Sequence, residues 1–186
     1  MALRLDHSVP LPAETHVRIG PLRRRHLRQV MRIEHQVYPR PWTPGIFTSE
    51  LAQRDTRCYL AARVGLSIVG YCGTLYSADD AHITNIAVDP KWHRHKIGTR
   101  LLVASIRHSI GRGAKNLTLE VRVSNVGAQQ MYRQFGMAPA GVRPNYYENV
   151  EDAIVMWAQD IDAPEYLARL EAIDAAVPGR TSFEGA

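Results

Sequence analysis

Residues Asn85 to Arg100 read Asn-Ile-Ala-Val-Asp-Pro-Lys-Trp-His-Arg-His-Lys-Ile-Gly-Thr-Arg, joining an apolar run, a basic loop and a helix start. The run Ile83 to Val88 has strand character and breaks at Asp89-Pro90; Gly98 falls in the first turn of the helix that follows. This order suits a pyrophosphate. N–H groups at a helix start have no partner within the helix, the dipole there favours negative charge, and Arg94 and Lys96 add formal charge. Many loops carry basic residues before a helix, so the pattern draws weight from two later segments. These are Leu-Glu-Val-Arg-Val-Ser-Asn at 119–125 and Met-Tyr-Arg-Gln-Phe-Gly-Met at 131–137.

The elements that would position these residues follow from periodicity and turn chemistry. Residues 1–15 contain two prolines and no periodicity, which predicts a loose extension. His16 to Ile19 reads as a short strand. Gly20-Pro21 then opens a helix with Leu27, Val30, Met31 and Val37 on one face, ended by Pro39 and Pro41. Thr43-Pro44 is a helix cap followed by proline at the first helical position, leading through Phe47 and Leu51. Three strands follow without an intervening helix, over 56–64, 68–77 and 81–88, and then a helix over 97–110.

Asn116 to Val123 alternates strictly, with Leu117, Leu119, Val121 and Val123 facing one way and Thr118, Glu120 and Arg122 the other. A helix over about 124–135 stops at Gly136, and strands over 137–142 and 153–159 close the sheet. After Pro164 an amphipathic helix (Tyr166, Leu167, Leu170, Ile173) runs into a polar remnant. The order excludes an all-β barrel and a doubly wound sheet, because three strands run together. It leaves an α/β (mixed α+β) domain over 16–162, followed by a helix and tail over 163–186.

Composition is that of a soluble globular chain, with 45% hydrophobic and 22% charged residues. No apolar run approaches the roughly 20 residues that cross a bilayer. The start, Met-Ala-Leu-Arg-Leu-Asp-His, lacks the layout of a signal peptide. Cys58 and Cys72 both lie in apolar strand-like segments and read as buried free thiols of a reducing compartment, so the expected location is the cytoplasm. The net charge of +5 is concentrated at Arg18 to Arg32 and Lys91 to Arg100. The first cluster reads as a solvated helix face. The second stands at the phosphate loop, and it lacks the interleaved aromatics of a single-strand RNA binder.

On these residues the chain resembles the Gcn5-related N-acetyltransferases (GNAT), and among them the RimI type, which acetylates the N-terminal alanine of a small-subunit ribosomal protein. The similarity covers about residues 17–160. The family's cofactor motif, Q/R-x-x-G-x-G/A, falls on His93-Arg94-His95-Lys96-Ile97-Gly98, and its second half on 119–125 with Ala128, Met131 and Tyr132. Pro-Trp-Thr at 41–43, Arg-x-Asn-Tyr-Tyr at 143–147 and Glu-Asp-Ala at 151–153 are RimI-like. The resemblance implies the GNAT fold, a mixed central sheet of about seven strands flanked by helices.

It also implies acetyl-CoA as acetyl donor and a peptide or protein N-terminus as acceptor, with nucleic acid met only indirectly through the ribosome. The backbone of Ile86, Ala87 and Val88 would lie beside the acetyl and pantetheine groups. Arg94, His95, Lys96, Ile97, Gly98 and Thr99 would wrap the pyrophosphate, and Asn125 would hydrogen-bond the pantetheine arm. Glu120 would take the proton of the attacking amine, and Tyr132 would protonate the leaving thiolate. Trp42, Arg143, Asn145, Tyr146 and Tyr147 would form the peptide-binding rim.

The chain departs from the motif at its first glycine, which is Lys96, and at its leading residue, which is His93. A side chain at 96 is compatible with backbone phosphate binding if φ stays negative there. Read without the resemblance, Glu120 is a surface carboxylate paired with a neighbour such as Arg122, and Tyr132 a core ring beside Met131 and Phe135. His93 and His95 have no third ligand nearby in sequence, so no metal is expected. Two rival functions stand: an acetyltransferase for a small-molecule amine, and a non-catalytic acyl-CoA-binding module.

Overall fold

In a computed structural model that describes residues 15–184, eight strands form. They are β1 (His16–Pro21), β2 (Arg57–Val64), β3 (Ser67–Ser77), β4 (Asp80–Val88), β5 (Asn116–Arg122), β6 (Ala138–Tyr147), β7 (Glu151–Ala158) and β8 (Arg180–Phe183). The helices are α1 (Leu27–Val37), α2 (Pro44–Ala52), α3 (Ile97–Gly111), α4 (Val126–Gln134) and α5 (Pro164–Ala175). All but the last residue of the expected N-terminal extension, 1–15, lies outside the described residues.

One mixed sheet holds every strand, in the order β6-β7-β5-β4-β3-β2-β1-β8. Its middle is covered on both faces, which is why β2 and β3 read as nearly continuous apolar runs. Leu60, Ala62, Val69 and Cys72 pack on one side with Leu101, Leu102 and Ile106 of α3, with Tyr132 of α4 and with Phe135 just past its end. Tyr59, Ala61, Ile68 and Tyr71 pack on the other with Val30 and Ile33 of α1 and Phe47 of α2. Each fully buried Val, Leu, Ile or Phe among them contributes about 1.5–3 kcal/mol.

β4 and β5 are parallel, joined by a crossover through α3 as parallel strands require. Their pairing ends at Ile83↔Leu119, although β4 runs on to Val88 and β5 to Arg122. The register of β3 against β4 jumps from Gly73↔Asn85 to Thr74↔Ile83, a bulge at Thr84. A bulge bends its strand and increases the local twist. The two strands therefore part beyond Ile83, and the β5-facing edge of residues 84–88 is left without a strand partner.

Three expectations are corrected. Gly20 and Pro21 do not open a helix; they complete β1, with Pro21 opposite Leu60, and α1 starts only at Leu27 after a single 3₁₀ turn. Val123 is not a core residue, because β5 ends at Arg122 and leaves it 46% exposed. The polar remnant is not a tail: Arg180–Phe183 adds to β1 as a parallel edge strand, making eight strands where about seven were expected. Long-range contacts hold it there. The fully buried Arg100 guanidinium donates to Thr181 Oγ1 and to the Pro178 carbonyl, Arg107 pairs with Asp174 at 2.7 Å, and Arg63 pairs with Glu184.

Candidate active site

The parting of β4 and β5 sets the site. On β5, Leu117, Leu119 and Val121 are buried and Glu120 turns to the opposite face, its side chain 7% exposed. Glu120 Oε2 lies 3.1 Å from His82 Nε2 of β4, and Oε1 lies 3.1 Å from Arg143 Nη2 of β6. With Nε2–H facing the carboxylate, His82 Nδ1 accepts from the Thr118 hydroxyl at 2.7 Å, which fixes the ring. The His82 hydrogen bond holds the Glu120 carboxyl below the usual carboxylate range, against burial that pulls it up. Arg122, offered by sequence as the neighbour of Glu120, turns away to Glu148 at 2.8 Å and Glu151 at 3.0 Å.

Tyr132 is buried on α4, and burial keeps its phenol protonated far above neutral pH. Tyr147 neighbours both residues: its hydroxyl donates to the Glu120 carbonyl at 3.1 Å, and its charge would further disfavour a Tyr132 phenolate. Cys72 is fully buried, with its thiol pushed up to about 12 by burial, and Cys58 is pushed up to about 11. A thiolate nucleophile is thus disfavoured at both positions.

Along the opening, Ile86 and Val88 are partly buried and Ala87 is buried. Beyond Val88, the His93 ring lies 3.2 Å from the Val88 carbonyl, and the His95 ring lies 2.7 Å from the His93 carbonyl. Arg94 and Lys96 are exposed and adopt φ +68° and +58°. The condition that φ stay negative at 96 is therefore not met. Lys96 is the left-handed N-cap of α3, with no side-chain cap. A left-handed residue with a β-carbon costs roughly 1–2 kcal/mol, and glycine escapes it. Ile97, Gly98 and Thr99 begin α3 beyond it, and Asn125 caps α4 by accepting from the Ala128 N–H at 3.1 Å.

The rim is divided. Arg143, Asn145 and Tyr146 are exposed on β6, with the Arg143 guanidinium 5.4 Å from the centre of the Tyr146 ring. Asn145 has φ +51° in an irregular stretch of the strand, where its N–H donates to Asp152 Oδ1 at 2.8 Å. Trp42 is turned inward: its ring lies 5.4 Å from that of Phe47, against the core under α1.

Sequence reasoning missed three residues. Tyr38, just past α1, donates its hydroxyl to the Ile86 carbonyl at 3.0 Å. Glu34, 1% exposed, accepts from the Trp42 N–H at 2.7 Å and from the Tyr71 hydroxyl, and burial pushes its carboxyl up to about 7. His82 is the third. Only the strand register could have found it, since His82 stands opposite Thr118, two residues before Glu120.

A parted parallel strand pair, a basic loop at a helix start and a shielded carboxylate are the arrangement that the resemblance to the acetyltransferases implies. The acetyltransferase (GNAT) family model matches residues 27–137. The putative ribosomal protein bS18-alanine N-acetyltransferase of Bacillus subtilis is 38% identical over 145 residues, covering 77% of this chain and 96% of that protein. Its Escherichia coli counterpart is 35% identical over 127 residues, covering 67% of this chain and 84% of that protein. The crystal structure of the Escherichia coli ribosomal-protein-S18-alanine N-acetyltransferase superposes with a TM-score of 0.71 at 31% identity, covering 77% and 94% of the two chains. The chain belongs to the GNAT family of acetyltransferases, and acetyl-CoA is its cosubstrate. The residues present fit that molecule, with an open backbone edge on β4 for the amides of its arm and a basic loop for its pyrophosphate.

Proposed function

We propose that this protein acetylates the N-terminal α-amino group of a protein in the cytoplasm, and that its substrate is an alanine-led ribosomal protein like that of its relatives. Acetyl-CoA, when bound, supplies an acetyl thioester. An α-amine with a pKa near 8 is partly neutral at physiological pH and needs to lose only one proton as the new C–N bond forms. Glu120 receives that proton, directly or through one water. Tyr132 donates its hydroxyl proton, or a hydrogen bond, to the departing sulfur. Asn125 uses its carbonyl as a helix cap and keeps its amide N–H groups for the arm of the cosubstrate.

The observation that carries this reading is the shielded, ionised Glu120 at the parting of β4 and β5, fixed by His82 and Arg143. The inert thiols of Cys58 and Cys72 support direct attack by the amine without an acyl-enzyme. Arg143 places a cation beside the acceptor position, which disfavours a polyamine acceptor and favours a single α-amine.

A peptide array assayed with acetyl-CoA tests the proposal. With the first four residues varied and each N-terminus free or blocked, acetylation is expected only on free N-termini and best on alanine-led peptides. Acetylation of lysine side chains or of small amines in preference to these would overturn it.

A further inference from the structure

A cleft of about 300 Å³ lies beyond the phosphate loop, between the start of α3, the end of α4, and α5 with the turn that follows it. Lys96 belongs to both the loop and the cleft, so the two are continuous. On one wall stand Lys96, Thr99 and Gln134; on the other, Arg169 with the apolar surface of Ile173 and Val177 behind it. The lining contains two cations and no carboxylate, and among the described residues neither cation forms an ion pair. The Arg169 guanidinium is set across Gly136, where a β-carbon would collide with it, so α4 and α5 meet at that point. α5 lies beyond the stretch matched by the family model, which ends at residue 137.

CoA carries, beyond its pyrophosphate, a flat adenine and a ribose bearing a 3′-phosphate. A cleft that starts at the pyrophosphate loop and offers an apolar wall, amide and hydroxyl groups and two free cations matches that chemistry. We infer that α5 completes the cosubstrate site, with Arg169 and Lys96 holding the 3′-phosphate of CoA and the Ile173–Val177 surface lying against the adenine. The inference rests on the acetyltransferase reading and adds to it a binding residue from the C-terminal segment. That segment is tied to α3 by Arg100 and Arg107, the first of them one turn from the phosphate loop. The wall is therefore fixed to the loop it serves.

Calorimetric titration of the wild-type protein and Arg169→Ala with CoA and with 3′-dephospho-CoA tests it. The wild type should prefer CoA. Arg169→Ala should bind CoA roughly fivefold more weakly, the size of an exposed charge contact, and bind 3′-dephospho-CoA unchanged. Arg169→Lys, which keeps the charge and alters the packing on Gly136, should keep most of the preference. Equal weakening towards both ligands, or no weakening, overturns the cleft assignment and leaves the acetyltransferase reading intact. A wild-type protein that binds neither ligand overturns both.

Discussion

His82 Nε2 and Glu120 Oε2 face each other at 3.1 Å across the parallel pair β4 and β5, just where the strands begin to part. The histidine is a positioning residue for the proposed base. Its hydrogen bond keeps the nearly buried carboxyl ionised where burial alone would push it up. In His82→Ala that support is gone and the Glu120 carboxyl moves upward. The acid limb of kcat/KM against pH should shift to higher pH, with the affinity for acetyl-CoA unchanged. An unaltered acid limb would remove His82 from this role.

Glu120→Gln should lower kcat by about 10²–10⁴-fold, the usual range for loss of a general base, while the Kd for acetyl-CoA holds. Activity should recover in part at higher pH, where more of the acceptor amine is already neutral. Wild-type kcat across pH 6–9 would show that another group takes the proton.

Tyr132→Phe removes one hydroxyl from a fully packed ring. If that hydroxyl serves the departing sulfur, single-turnover rates fall while thermal stability and cosubstrate affinity stay near wild type. A silent substitution in rate would leave Tyr132 as core packing.

The fold and the path of the loop into α3 were largely legible, because they rest on local signals. The alternation of Leu117, Leu119 and Val121, the cap at Thr43-Pro44 and the break at Asp89-Pro90 each report on a few neighbouring residues. β8 was not legible. Arg180-Thr181-Ser182-Phe183 has no alternation of its own, and Arg100, eighty residues earlier, helps hold it in place. The partners of Glu120 were hidden for the same reason, since His82 and Arg143 come from different strands and only the register joins them. Lys96 stands between these cases. Its position in the motif was plain, but its positive φ emerges only from the chain path into α3.

That φ gives Lys96→Gly two separate readouts. Relief of the left-handed lysine should raise stability by about 1 kcal/mol, seen in thermal unfolding. Loss of the ammonium should raise the Kd for acetyl-CoA modestly and flatten its dependence on salt. Tighter binding by the glycine variant would mean that the lysine obstructs the loop.

Glu34 should leave a mark on the pH dependence of stability. Its carboxyl is raised by burial from its ordinary 4.5 to about 7 in the folded protein. Between those values the native state holds a proton that the unfolded chain has released. Stability should therefore be greatest below about pH 4.5 as far as this group is concerned, fall as pH rises towards 7, and level off above; the full change is at most roughly 3 kcal/mol. Glu34→Gln should flatten this component in denaturant titrations across pH 5–8. A slope the same as wild type would place the titration elsewhere.

The central claim is tested most directly by mass spectrometry of an alanine-led peptide incubated with acetyl-CoA and the wild-type protein, with Glu120→Gln as the paired control. The account predicts that one acetyl group is added at the α-amine with release of one equivalent of CoA, that a blocked N-terminus gives no product, and that the variant is slow despite binding acetyl-CoA normally. Binding of acetyl-CoA by the wild type with no acetyl transferred to any free α-amine would contradict it.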